Sequence, residues 1–557
     1  MLTSTTTTTS ATHRPGLAAL RYSFFWLLIA LLFLYLLYSS KLLLNQTECR
    51  HLSITETLQN ATDPSLTSTS ILRFDTHLNH IVFGIAASSS LWRWRKEYIK
   101  LWWRPGETRG VVWLDNQVRT KRNESLPEIR ISRDTSRFRY TNRQGTRSAI
   151  RISRVVSETM KLGLKDVRWL VMGDDDTVFI LENLVRVLSK YNHEEYYYIG
   201  SSSESHVQNI FFSYTMAYGG AGFAISYPLA VELEKMQDRC IQRYPSLYGS
   251  DDRIQACMAE LNVPLTKEIG FHQVGAGSSS ARYKKGQRPY RPLMRYPALD
   301  RSSGRFRGES MGWPLGRLMG TGISRCPYGS GYPETCFDVY GNLLGLLGSH
   351  PVAPLVSVHH LDIVDPLFPG MTRTESIRHL LDAAKYDSAS IAQQSICYDK
   401  TREWSILVSW GFAIQVVRGM VSPRELDFPS RTFLNWYKKL DYTAYSFNTR
   451  PVSRNKCQKP FVFYMSRMIH DKARKKIIGI YTLHRERHPY CNWKMESPGK
   501  IDNIVVLKSP DNHRWQKAPR KDCCRMLPAT KKGTMYLWVD GCQKGEVVEW
   551  KSSKSVS

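Results

Sequence analysis

The stretch Trp169-Leu170-Val171-Met172-Gly173-Asp174-Asp175-Asp176-Thr177 decides how this chain reads. Trp169 to Met172 is a short apolar run of strand type, and three consecutive carboxylates stand where it ends. Adjacent carboxylates repel, and at a strand terminus they need solvent, a basic neighbour or a cation to screen them. Oxygen donors so placed suit magnesium or manganese, which keep positions open for phosphate oxygens. The plainer alternative is an acidic turn capping the next helix. A calcium loop is excluded, because no central glycine and no distal Glu follow at the required spacing.

Strands and helices alternate on either side of this stretch. Ile81 to Ala86 reads as a strand, Leu91 to Trp103 as a helix, Val111 to Leu114 as a strand, and Gly145 to Leu162 as a helix. Leu181, Leu184, Val185 and Leu188 recur at helical spacing within a helix from Val178 to Lys190. Such alternation predicts an α/β fold with an open, mostly parallel sheet whose ligands sit at the carboxyl ends of strands.

Downstream, Tyr218-Gly219-Gly220-Ala221-Gly222-Phe223 is dense in glycine, which lets backbone approach a ligand closely. It is not a dinucleotide fingerprint, since Ile225 stands at the third glycine position, and the chain has no Gly-Lys-Ser/Thr phosphate loop. Gly249-Ser250-Asp251-Asp252 opens another helix. Its acids cap that helix or, if shielded from water, supply a general base for an incoming hydroxyl. A disulfide between Cys240 and Cys257 would fix this loop. Phe271-His272-Gln273 and Val356-Ser357-Val358-His359-His360-Leu361-Asp362 complete the set of candidate segments.

The amino-terminal region has a different character. Phe24 to Tyr38 is uninterruptedly apolar, and from Tyr22 to Leu44 the segment is long enough to span a bilayer if Lys41 snorkels. Arg14 and Arg21 precede it without an acid, which predicts a cytosolic tail over residues 1–21, a signal anchor over 22–44 and type II topology. The alternative is a cleaved signal peptide, for which no clean cleavage site follows. Residues 45–78 read as a flexible stem, with glycosylation sequons at Asn45, Asn60 and, further on, Asn123.

The 557 residues carry 77 Lys and Arg against 49 Asp and Glu, a net charge of +28. That balance favours phosphate-bearing partners without choosing among them. With 42% hydrophobic and 23% charged residues the chain is globular, which excludes wholesale disorder and a multi-pass membrane protein. No nucleic-acid-binding module is recognisable, so nucleic acid is not an expected partner.

In this order, Asp174-Asp175-Asp176-Thr177, Gly219-Gly220-Ala221-Gly222-Phe223 and Asp251-Asp252 resemble the Fringe and T-synthase group of beta-1,3-glycosyltransferases. They resemble most of all the plant Fringe-related family long labelled a domain of unknown function. The likeness runs from about Ile81 to Asp362. It implies a GT-A, Rossmann-like domain that binds a UDP-sugar with Mn2+ or Mg2+ and transfers the sugar, with inversion and in beta-1,3 linkage, to a glycan hydroxyl in the Golgi lumen. A Fringe-like protein that binds glycans or acts as a scaffold without turnover is the alternative.

The resemblance also implies roles. Asp174, Asp175 and Asp176 match the family's DxD motif, with Asp174 nearer the ribose and Asp176 on the metal. Gly220, Ala221 and Gly222 match the segment lining the donor and acceptor cleft. Asp252 matches the catalytic base, with Asp251 as second choice. His359 matches a third metal ligand, with His272 ranked after it. The last third also resembles the plant family, through Trp404 to Val417, Phe447 to Pro451 and the pair Cys523 and Cys524. Read from its own residues, it is a β-rich, cysteine-containing C-terminal domain over 396–557, an appendage to the glycosyltransferase domain.

The likeness is interrupted once. Residues 274–337 hold 11 of the 35 glycines, carry 11 basic residues against 3 acidic, and show no apolar periodicity. They read as a loop, an unstructured insert or a retained intron, separating residues 79–273 from 338–395 of the glycosyltransferase domain.

Overall fold

The computed structural model describes residues 17–45, 76–121, 124–273, 339–435, 441–486 and 489–550. Residues 46–75 of the stem, with Asn60 and Cys49, and Asn123, Cys326, Cys336 and the segment 274–337 lie outside these residues. The chain divides into two compact units, Met1–Leu72 and Arg73–Ser557.

Among the described residues of the first unit, the α-helix Leu17–Asn45 contains the apolar run. Its large side chains from Trp26 to Tyr38 are exposed. Among the described residues no helix is long and apolar enough to cross a membrane.

The described residues of the second unit form two large sheets and two small ones. Strands β1 (Ile81–Ala86), β2 (Arg109–Leu114), β3 (Glu128–Ile131) and β4 (Trp169–Asp174) are joined with β6 (Tyr198–Gly200), β7 (Phe223–Ser226) and β8 (Leu265–Lys267) in the order β3-β2-β1-β4-β7-β6-β8. β1 runs parallel to both β2 and β4, so the chain winds outward on one side of β1 and then returns to its other side. Their register sets Ala86 opposite Asp174, which places the three carboxylates at the topological switch point, where open α/β sheets bind ligands. β7 runs antiparallel to β4, so the sheet is mixed beyond that point.

A small three-stranded sheet completes this end of the molecule. Its members are β5 (Val178–Phe179), β9 (Phe271–His272) and, beyond β10 (Val339–Gly341), β11 (Ser357–Val358). β11 is central, antiparallel to β5 and parallel to β9. Thr177 enters β5 at the end where His359 leaves β11 and Gln273 leaves β9, so three segments distant in sequence converge.

The helix predicted over Val178–Lys190 is therefore shorter, Leu181–Leu188, because Val178 and Phe179 pair as a strand. The one predicted over Gly145–Leu162 is split into Ser148–Ser153 and Val155–Met160. At the break, buried Arg154 ion-pairs with Glu158 and Asp238.

The C-terminal region forms an eight-stranded sheet in the order β12-β13-β14-β16-β17-β18-β20-β19. Its strands are β12 (Gln394–Asp399), β13 (Trp404–Ser409), β14 (Ala413–Arg418), β16 (Phe461–Asp471), β17 (Lys476–Leu483), β18 (Asn503–Lys508), β19 (Cys523–Leu527) and β20 (Thr534–Asp540), while β15 (Phe433–Asn435) pairs with β10. The predicted boundary at 396 falls inside β12. Nor is this sheet an appendage: Trp404, Trp410, Phe412 and Tyr481 belong to one continuous core with Phe83, Trp102, Phe179 and Val358. Three disulfides, Cys397–Cys524, Cys457–Cys491 and Cys523–Cys542, use all six cysteines of this region.

Candidate active site

The three carboxylates at the end of β4 point in different directions and have different neighbours. Asp175 is buried, accepts a hydrogen bond from the Ser88 amide at 3.2 Å and pairs with Arg95 at 3.0 Å. Asp176 is fully buried, 3.2 Å from Arg95 and 3.1 Å from Nε2 of His359. Asp174 is the most open of the three, its Oδ2 lying 3.4 Å from the same His359 nitrogen. Thr177 closes the turn: its hydroxyl accepts from the Asp174 amide at 2.8 Å and donates to the Gly220 carbonyl at 2.7 Å. The acidic turn is thereby tied to the glycine segment.

Arg95 supplies the basic neighbour that adjacent carboxylates require. It also pairs with Asp362 at 3.2 Å, so one guanidinium serves three acids. Its helix, Trp92–Trp102, buries Trp92, Arg95, Ile99 and Trp102 along one stripe, and Trp102 donates to the Thr177 carbonyl at 2.9 Å. An arginine on an apolar helical stripe was the sequence signal for this residue, and its partners were not readable from it.

His359 and His360 follow β11 directly. In a strand their side chains would point to opposite faces. His360 instead has a positive φ of 54°, a conformation concentrated at functional sites, and the two imidazole centroids lie 3.6 Å apart. Donor atoms of Asp176, His359 and His360 all lie within 4.8 Å of one another, a spacing fit for one metal ion. Both oxygens of Asp176 and Nε2 of His359 are buried and satisfied by no hydrogen bond beyond the ion pairs they make with each other, Asp174 and Arg95, so this donor set fits a cation. On its other side His359 meets Gln273 through Nδ1 at 3.2 Å.

The electrostatics follow from these contacts. Burial works to raise the Asp176 carboxyl, but Arg95, His359 and His360 together hold it below the usual carboxylate range. Asp175 is pushed up to about 7, by burial first and by repulsion from Asp176 and Asp174, against the pull of Arg95. Burial works to lower His359, yet Asp176 and Asp174 raise it to about 10.

Across the glycine segment stand the acids of the helix Asp251–Glu260. Asp251 accepts from the Gly219 amide at 3.0 Å and from the Ser250 hydroxyl at 3.0 Å. Burial, with a contribution from the charge of Asp174, pushes its carboxyl up to about 7, although the Gly219 amide opposes this. Asp252 turns away to accept the amides of Tyr248 at 2.8 Å and Gly249 at 3.0 Å. Asp251 therefore faces the glycine segment, while Asp252, first choice from the sequence, holds its own loop. The disulfide Cys240–Cys257 ties this helix to Tyr227–Arg243.

His272 stands apart from the donor set. Buried on β9, it contacts Glu204 at 3.0 Å through Nδ1 and His350 at 3.1 Å through Nε2. Gln273, the next residue, makes the contact with His359. His360, Arg95, Asp362 and Gln273 join the site without having been assigned to it from the sequence.

The family described as "Protein of unknown function, DUF604" matches residues 208–304 and 331–524, more than half of the chain. The chain belongs to this family. The DUF604 match includes the glycine segment, Asp251, Asp252, His359 and His360, begins after the carboxylate triplet, and breaks inside the segment 274–337. Among solved structures, that of mouse xyloside xylosyltransferase 1 in its apo form is similar over 33% of this chain and 81% of that chain. The identity is 8% and the TM-score 0.21, a likeness that carries no argument about the site.

Proposed function

We propose that this DUF604 protein is a metal-dependent, inverting glycosyltransferase of GT-A type. It would transfer a sugar from a UDP-sugar to a glycan hydroxyl, with a beta-1,3 linkage as the product. One observation carries the reading: at the switch point of the sheet, Asp176, His359 and His360 form a buried donor set beside Asp174, with the Asp251 carboxylate across the glycine segment.

Asp176 and His359, with His360 and Asp174, would hold the cation. Mixed oxygen and imidazole donors favour Mn2+ over Mg2+. When bound, the metal neutralises charge on the departing diphosphate. The rest of the work falls to the chain. Arg95 offsets part of the repulsion among the acids and so keeps them close. Gly219 and Gly220, having no Cβ, leave room for the Asp251 carboxylate and the His359 ring against the backbone of this segment. Asp251 accepts the proton of the acceptor hydroxyl as its oxygen bonds to the anomeric carbon, and the bond to UDP breaks on the opposite face. A carboxyl with a pKa near 7 is well matched to that task.

Four disulfides among the described residues support an oxidising compartment. Together with the apolar run Phe24–Tyr38, they favour a type II protein of the Golgi membrane with the larger unit in the lumen. Protease protection in microsomes tests this, and digestion of the larger unit in sealed vesicles would contradict it. For the chemistry, Asp251→Asn is expected to bind the UDP-sugar but to lose transfer by about 10²-fold or more. Full turnover by that variant would place the base elsewhere.

A further inference from the structure

Exposed aromatic residues of the unit Arg73–Ser557, such as Trp94 and Tyr490, are scattered along the chain, but in one run three large apolar side chains are exposed together. Ile210 is 65% exposed, Phe211 55% and Tyr214 44%, all within five residues. Phe211 is the only exposed phenylalanine among the described residues of this unit. Exposed apolar surface gathered in this way marks a binding surface more often than a structural accident.

The platform is held from below. Ile210 and Phe211 end the short helix His206–Phe211, whose inner side chains Gln208 and Asn209 are buried. Asn209 is pinned to Ser203 by two hydrogen bonds, of 3.0 and 2.8 Å. Tyr214 hydrogen-bonds to His206 across the turn. The turn Tyr442–Ala444 packs beside the same helix and adds Tyr442, 68% exposed. The apolar rings are interleaved with the hydroxyls of Ser213 and Thr215, which lie 2.8 Å from each other.

Its position relates it to the proposed base. From Phe211 the chain runs without another element into the glycine segment at Gly219. The Phe212 ring lies 5.6 Å from that of Tyr248, whose amide binds Asp252, the neighbour of Asp251. Apolar rings with hydroxyls at their edge complement a pyranose, which offers a face of C–H groups and a rim of hydroxyls.

We infer that Phe211 and Tyr214, flanked by Ile210 and Tyr442, form the acceptor subsite, on which a sugar ring of the acceptor glycan stacks while its reactive hydroxyl reaches Asp251. This rests on the proposed glycosyl transfer. The alternative occupant of such a surface is a second copy of the chain.

The test uses the full chain and a panel of β-linked gluco-, galacto- and xylo-oligosaccharides as acceptors, with UDP-sugar hydrolysis in their absence as the reference reaction. Phe211→Ala and Tyr214→Ala are expected to raise the acceptor KM at least tenfold and to shift the donor KM by less than twofold. Tyr214→Phe, which keeps the ring, is expected to recover most of the lost acceptor affinity. An unchanged acceptor KM in both alanine variants would overturn the inference while leaving glycosyl transfer intact. A wild-type dimer in sedimentation velocity that Phe211→Ala converts to monomer, with unchanged acceptor KM, would assign the surface to a second copy. Absence of any UDP-sugar turnover by the wild type would remove the reading on which the inference stands.

Discussion

A methyl group added at Gly220 would lie 1.9 Å from Cε1 of the His359 ring and 2.2 Å from its Nδ1. No ring shift within a packed site absorbs such an overlap, so Gly220→Ala is expected to displace His359 from Asp176. The predicted cost is about 1–3 kcal/mol of stability together with loss of any metal-dependent stabilisation, both read by thermal unfolding with and without Mn2+. The two neighbouring acids differ in a way that experiment can separate. Asp252→Asn should destabilise its loop by about 1 kcal/mol, the worth of one backbone hydrogen bond, and leave transfer measurable. Asp251 must be ionised to take a proton, and its carboxyl is raised to about 7. Transfer should therefore be slow below that pH and rise to a plateau above it. A pH–rate profile flat from 5.5 to 8.5 would exclude Asp251 as the base.

At the scale of elements, the helix Trp92–Trp102 brings one cation to three acids. Arg95→Leu would leave Asp175, Asp176 and Asp362 without their shared partner, at a cost of about 3–5 kcal/mol, whereas Arg95→Lys should fall between that variant and the wild type. Urea unfolding measures both. This element also shows where sequence reading stops. The carboxylate triplet was legible because its three residues are consecutive and end an apolar strand. The sheet that completes the site was not, because β5, β9 and β11 are two residues each and carry no period of their own. The pairing of His360 with His359 depends on a backbone conformation that no spacing announces. Asp251 and Asp252 are indistinguishable as letters and differ only in which amides they meet.

At the scale of the whole molecule, the C-terminal sheet is part of the core that supports the site. A chain ending at Asp399 would lose Trp404, Trp410, Phe412 and Tyr481 from that core, so it is expected to be insoluble rather than an active, smaller enzyme. Cys397–Cys524 joins β12 to β19 across a sequence separation of 127, and replacing both residues by Ser should lower stability by about 4 kcal/mol in thermal unfolding. The strong positive charge of the chain is also easier to interpret. The segment 274–337 supplies 11 of the basic residues against 3 acidic ones, and the remainder is compatible with a protein that handles a nucleoside diphosphate.

The central claim is that the donor set at the end of β4 holds a cation which in turn holds a nucleotide sugar. The direct test is the thermal unfolding of the purified chain across a panel of UDP-sugars, with and without Mn2+, for the wild type and Asp176→Ala. At a hundredfold excess over the dissociation constant, a bound donor stabilises the fold by about 2.7 kcal/mol. The account predicts an upward shift of the wild-type midpoint with at least one UDP-sugar, only when Mn2+ is present, and no shift in Asp176→Ala. A shift of equal size in the variant, or no shift with any UDP-sugar in the wild type, would contradict it.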